Sequence, residues 1–174
     1  MFQARNFEIF PINSMEKIRG NFRPQMFEDE NTALIDERFG FQVAFRSIGR
    51  TLTDLTYSLK GCDKDSVNVF FVQSVPCTYS VAENSDDYVL ETSACMMPDI
   101  LAPITESGIV ARSGVWQSFY IVLSGLSAGK YTLKFSVSAA KGEVLGEIEY
   151  VLTVLEKKLP EFDFVCTFWM HYDS

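Results

Sequence analysis

Histidine is nearly absent from this chain: His171, close to the C-terminal Ser174, is its single copy. A zinc site built on several histidines is therefore ruled out, and any Ser–His or Cys–His nucleophilic arrangement has to use this one residue. Cysteine is sparse and unpatterned. Cys62, Cys77, Cys95 and Cys166 form no CxxC and no metal-ligand spacing. Two disulfides would suit a secreted protein, but without a signal peptide the expectation is reduced, mostly buried thiols. Long apolar runs are missing too. No stretch approaches the ~20 apolar residues of a membrane helix, and Met1 to Arg19 lack the apolar core of a secretory signal. The expected setting is cytoplasmic, away from membranes; a trimmed signal replaced by a Met would leave the same sequence, so secretion stays open. Positive charge is also short. With 15 Lys+Arg against 23 Asp+Glu, the net charge of −8 repels phosphate backbones and argues against nucleic acid as a partner. The glycines make no GxGxxG or GxxxxGK, and no serine sits in GxSxG, so no catalytic, cofactor-binding or metal site is expected within the chain.

What is present is enough to fold. The 174 residues suit one domain, and 47% of them are hydrophobic, with Phe the leading aromatic at 15 copies. Through most of the chain the apolar period is two, as in half-buried strands. Phe41, Val43 and Phe45 alternate with Gln42, Ala44 and Arg46; Leu55, Tyr57 and Leu59 alternate with Thr56, Ser58 and Lys60. Val67 to Val75 and Trp116 to Leu123 carry apolar residues on both faces, which predicts cover on both sides or a domain contact. Tyr131 to Ser138 and Ile148 to Val154 alternate again, joined by Ala139 to Gly146 with Lys141-Gly142 at the tip of a β-hairpin. Leu126 to Gly129 supplies the preceding turn. Phe7 to Ile12 and Leu34 to Arg38 read as edge or early strands joined by a charged turn, Glu28 to Asn31. Met96 to Ser107 carries Pro98 and Pro103 and is expected to be a long ordered loop. Strands without intervening helices predict an all-β, two-layer antiparallel sandwich of immunoglobulin/fibronectin-like type.

Paired carboxylates, the usual apparatus of glycoside hydrolysis, occur as Asp36-Glu37, Asp86-Asp87 and Glu147 with Glu149. Each reads as surface charge: adjacent strand residues point apart, and Glu147 with Glu149 solvates the outside of a hairpin. Trp116, inside an apolar run, reads as core rather than as a sugar-stacking platform. Phe162 to Tyr172 is too apolar for a free tail and follows Leu159-Pro160, a natural boundary, so it reads as the opening of a further domain, the alternative being that it folds back as another sandwich strand. The domain division is therefore 1–158 as sandwich and 159–174 as linker and start of a further domain.

Several segments, in order, resemble one family. Asp36-Glu37 with Phe41-Gln42-Val43-Ala44 resembles a "GE…FQVA" strand, with Asp36 where Gly is common. Met97-Pro98-Asp99-Ile100-Leu101-Ala102-Pro103 resembles a "PD-x-L-x-P" loop, and Trp116 followed by Ala128-Gly129-Lys130-Tyr131 resembles "W…AG-x-Y". Leu159-Pro160-Glu161 and Trp169-Met170-His171-Tyr172-Asp173 resemble an "LPE" linker and a "WFH-x-D" barrel opening. These are motifs of the N-terminal sandwich of family-123 glycoside hydrolases and their relatives. The resemblance implies an accessory domain, not an enzyme alone, whose partner is a downstream catalytic barrel of the same polypeptide. It also implies an activity, removal of β-linked N-acetylgalactosamine with assistance from an Asp-Glu pair in that barrel, and places His171 and Asp173 where they approach the sugar. Two other readings need no barrel: a carbohydrate-binding module presenting Tyr79, Tyr88 or Trp116 to a glycan, and a protein-interaction sandwich.

Overall fold

The computed structural model describes residues 1–27, 31–77, 93–104 and 108–158. Within them lie β1 (Phe2–Gln3), β2 (Phe7–Asn13), β3 (Asn31–Ile35), β4 (Phe39–Ser47), β5 (Leu52–Lys60), β6 (Val67–Cys77), β7 (Cys95–Pro103), β8 (Ile109–Ala111), β9 (Gln117–Leu123), β10 (Gly129–Ser138) and β11 (Val144–Lys158). A 3₁₀ turn at Lys64–Ser66 is the one helical piece among the described residues. The strands form two sheets. One runs β1-β11-β10-β5-β8, with β3 also on β11; the other runs β2-β4-β9-β6-β7. The architecture is the all-β, two-layer sandwich that the alternation predicts. One pair departs from the antiparallel rule, since β3 lies parallel to β11 from Asn31↔Leu152 to Ile35↔Lys158.

The clearest sequence signal gives the most regular pairing. β10 and β11 stay in register from Gly129↔Val154 to Val137↔Gly146. Gly142 closes their turn at φ +82°, a left-handed conformation open to glycine, and donates to Ala139 O at 2.8 Å. At the other end of the hairpin, the Tyr131 hydroxyl donates to Ser127 O at 2.9 Å. A tyrosine bonded back to the chain a few residues upstream is a recurring corner of immunoglobulin-like sandwiches. It gives a physical reason for the spacing of Ala128-Gly129-Lys130-Tyr131.

Between the sheets, alternate side chains interlock. Phe119 of β9 stacks on Phe45 of its own sheet at 4.9 Å and meets Phe135 of the facing sheet at 5.1 Å. Phe41 and Tyr150 make a second bridge between the layers, ring centroids 4.0 Å apart and nearly parallel. Where β2 crosses β11 the layers come so close that a side chain on Gly146 would strike Ile9.

Three expectations need correction. Residues 96–103 form a strand, β7, paired with β6 from Pro103↔Phe70 to Cys95↔Cys77. Proline is tolerated there because β7 is the sheet's outer strand, and a register shift between Gln73 and Ser74 takes up the extra residue near Pro98. Residues 105–107, at the end of the expected loop, lie outside the described residues. Leu34 to Arg38 is not one strand: β3 ends at Ile35, and Asp36 turns the chain with φ +66°. Asn31, expected in the turn before it, already belongs to β3, while Glu28 to Glu30 lie outside the described residues.

Candidate functional site: a wrapped sheet face and an apolar edge

The outer face of the β2-β4-β9 sheet is covered. Phe10 and Ile12 of β2, Ala44 of β4, Ile18 and Trp116 make a second small core there, apart from the one between the layers. The cover is the segment after β2, and Gln42 holds it down. The Gln42 amide donates to Asn13 O, Ser14 O and Glu16 O at 3.1, 3.1 and 2.8 Å, and its carbonyl accepts the Ser118 hydroxyl at 3.1 Å. Gln42 is only 4% exposed, although its place opposite Phe41 and Val43 marks it as a solvent-facing residue in the sequence. Further along, Lys17 Nζ donates to Pro98 O at 3.3 Å and ties the same segment to β7.

Trp116 is core, as its sequence context predicts, but on this outer face. It is 3% exposed and meets Phe10 edge-on at 5.0 Å. The Arg46 guanidinium lies 4.7 Å above its ring, and Arg46 is held by Glu8, which also accepts Arg23 Nη1 at 2.9 Å. A ring buried under one cation, with the Arg23 guanidinium 5.8 Å away, offers no open face for a sugar.

Beside this cover is a cavity of about 860 Å³. Four separated stretches wall it: Ile18–Phe22 of the cover, Phe71–Ser74 of β6, Ser93–Met96 with Pro98 at the start of β7, and Arg112–Ser118 before and into β9. Arg19 and Arg112 line it together with Gln73 and Gln117, and none of its described lining residues is acidic. In a chain of net charge −8, that composition is a local exception. The Arg19 guanidinium lies 4.1 Å from the Phe22 ring centroid, and the Arg112 backbone N–H donates to Gln117 Oε1 at 2.7 Å. No part of the sequence announces this cavity, because no single stretch forms it.

The β7 edge is apolar. Met96, Ile100 and Leu101 are 53, 46 and 44% exposed. Ile100 and Leu101 fall in the stretch that resembles the "PD-x-L-x-P" motif.

The acidic pairs behave as surface charge where they are described. Asp36 and Glu37 sit in the turn after β3, not on a strand. The Glu37 carboxylate accepts the Leu34 N–H at 2.7 Å, and Asp36 meets Lys158 at 3.1 Å. Across the hairpin, Lys134 Nζ of β10 bonds Glu149 of β11 at 2.8 Å. That hydrogen bond, and then the charge of Lys134, hold the Glu149 carboxyl below its ordinary range. A general acid for glycoside cleavage needs the opposite shift. Asp86, Asp87, Tyr79 and Tyr88 lie outside the described residues, as do His171 and Asp173 and the whole expected barrel opening at 159–174. Among the described residues no group of three or more His, Cys, Asp or Glu is placed to hold a metal ion, and no helix is long and apolar enough to cross a membrane.

The cysteines differ from expectation in burial. Cys62 and Cys95 are half-buried and Cys77 is exposed, because the last two sit at the end of an outer hairpin rather than in the core. Burial, and then the Asp63 carboxylate, push the Cys62 thiol up. Cys166 lies outside the described residues.

Comparison with known proteins gives a fold and no family. No model of a known protein family matches the sequence, and no curated protein matches it either. Among solved structures, a family 123 glycoside hydrolase from Clostridium perfringens, studied for glycolipid glycan hydrolysis, superposes with a TM-score of 0.68. The match has 11% identity and covers 89% of this chain and 28% of that one. The chain thus spans just over a quarter of that hydrolase. The seventh ScaB type I cohesin from Pseudobacteroides cellulosolvens is 10% identical over 90% of this chain and 99% of its own, with a TM-score of 0.32, too low to carry an argument.

Proposed function

We propose that this sandwich is a non-catalytic accessory domain of a family-123-like glycoside hydrolase, packing against a catalytic barrel that follows it. The observation that carries this reading is the superposition of 89% of the chain on 28% of a family 123 hydrolase. The order of the sequence motifs supports it independently. The apolar β7 edge, with Met96, Ile100 and Leu101 uncovered, offers a surface for such a barrel. In the parent polypeptide the barrel would act on β-linked N-acetylgalactosamine, with His171 and Asp173 near the sugar. The test is hydrolysis of a chromogenic β-N-acetylgalactosaminide by the parent and by this chain alone. The parent is expected to turn over and the chain not to; turnover by the chain alone, or a parent lacking βα repeats after Ser174, defeats the reading. Replacing His171 or Asp173 by Ala in the parent is expected to lower turnover, and unchanged rates would remove their assignment.

A second reading, an independent carbohydrate-binding module, rests on the cavity beside Arg19 and Arg112. Its size falls in the roughly 300–1,000 Å³ range of small-molecule sites, and its glutamines and serines suit hydroxyl groups. Calorimetric titration of the chain with hexosamine-containing glycans separates the two, since only this reading requires binding without the barrel.

A further inference from the structure

The outer hairpin of β6 and β7 is closed at one end by two cysteines. Cys77 is the last residue of β6, Cys95 is the first of β7, and the antiparallel register sets them directly opposite one another. Opposed residues in such a pair have Cα atoms about 4.5–5.5 Å apart and side chains on the same face. A disulfide spans Cα separations of about 4.4–6.8 Å, and a directly opposed pair falls within that range. Exposure differs usefully between the two: Cys77 is open to solvent and Cys95 is half-buried. Cys62 belongs to the turn after β5 and packs against the main core, away from this register.

We propose that Cys77 and Cys95 are a built-in cross-link site, joined as a disulfide when the chain meets a small-molecule disulfide oxidant such as oxidised glutathione. The Cys77 thiol loses its proton and attacks one sulfur of the oxidant, releasing one glutathione thiol and leaving a mixed disulfide. The Cys95 thiol, held opposite, then loses its proton and attacks the Cys77 sulfur, releasing the second glutathione thiol. The chain gives up two protons and two electrons, and glutathione disulfide takes them up as two thiols. The bond ties the last residue of β6 to the first of β7. It also fixes the Ser93–Met96 wall of the cavity and the start of the apolar edge. The site depends on strand register alone and stands whether or not a barrel follows.

The experiment is oxidation of the whole chain with oxidised glutathione, alkylation of the remaining thiols and peptide mapping. A Cys77–Cys95 linked peptide pair is expected, with Cys62 and Cys166 alkylated. It should form at least about tenfold faster in native buffer than in urea, because the fold presents the second thiol at high effective concentration. The thermal midpoint should rise by roughly 5–10 °C on oxidation, and Cys77→Ser should abolish that rise. A native chain that stops at the Cys77–glutathione adduct with Cys95 still open to alkylation overturns the proposal. So does a link from Cys95 to Cys62 or Cys166, an equal rate in urea, or an undiminished thermal shift in Cys77→Ser.

Discussion

Gln42 on β4 accepts the Ser118 hydroxyl from β9 at 3.1 Å, with both side chains buried on the outer face of their sheet. The same glutamine amide reaches three carbonyls of the covering segment. Gln42→Leu would leave those carbonyls and the Ser118 hydroxyl without their partner. A loss of about 1–3 kcal/mol is expected from urea unfolding, and a smaller one, about 0.5–1.5 kcal/mol, from Ser118→Ala. The double variant should lose less than the sum of the two, because they share one network.

Phe119 joins the two layers by stacking on Phe45 and meeting Phe135. Phe119→Ala removes a fully buried ring and leaves a cavity in the middle of the sandwich. Chemical denaturation should report a loss of about 3–5 kcal/mol, with cooperativity retained.

Gly61, in the turn after β5, has φ +105°, and a Cβ there would run into the Thr132 carbonyl. The obstacle is backbone, which cannot swing aside. Gly61→Ala is expected to cost about 1–3 kcal/mol for the backbone conformation alone, and more for the contact, read as a lowered thermal midpoint.

Asp36 takes φ +66°, where the resembling motif commonly has Gly. Asp36→Gly relieves a strain of about 1–2 kcal/mol and gives up only an exposed pair with Lys158. It should leave stability unchanged or raised. Asp36→Val, with a β-branched side chain at the same φ, should lower it; equal midpoints for the two variants would contradict the assignment.

Burial pushes the Tyr150 phenol well above its ordinary value of 10.0. Once pH exceeds that value the unfolded chain ionises here while the folded chain keeps its proton, so the folded state binds more protons and stability falls. The contribution is fully present below about pH 10 and declines as pH rises toward the folded pKa, by up to about 1.4 kcal/mol per pH unit. Alkaline denaturation of the wild type should therefore be steeper than that of Tyr150→Phe, with the curves merging below pH 10.

Where one side of a strand faces the core and the other faces water, the fold can be read from the residues: β5, β10 and β11 follow their alternation closely. The reading fails where a polar residue is buried by a distant segment. Gln42 looks like a solvent-facing residue because the residues covering it have no period of their own and come from the far end of β2. Pro98 and Pro103 suggest a loop because proline is costly inside a sheet, and nothing local reveals that β7 lies on the outside. The parallel pairing of β3 with β11 joins residues more than a hundred positions apart, without a short-range cue. The cavity is less legible still, being assembled from four stretches whose arginines and glutamines are ordinary surface residues until the sheets bring them together.

β11 is fifteen residues long, about 50 Å at strand rise; β10 pairs with it from Val144 to Val154 on one side, and β1 and β3 pair with parts of the other. Lys158, its last residue, is still paired with Ile35. A pull along the strand from Lys158 meets β3 first and β10 from Val154 inward, and sliding β11 along the parallel β3 means shearing several bonds at once rather than unzipping them singly. The last described strand of the sandwich is thus a braced strut rather than a loose end.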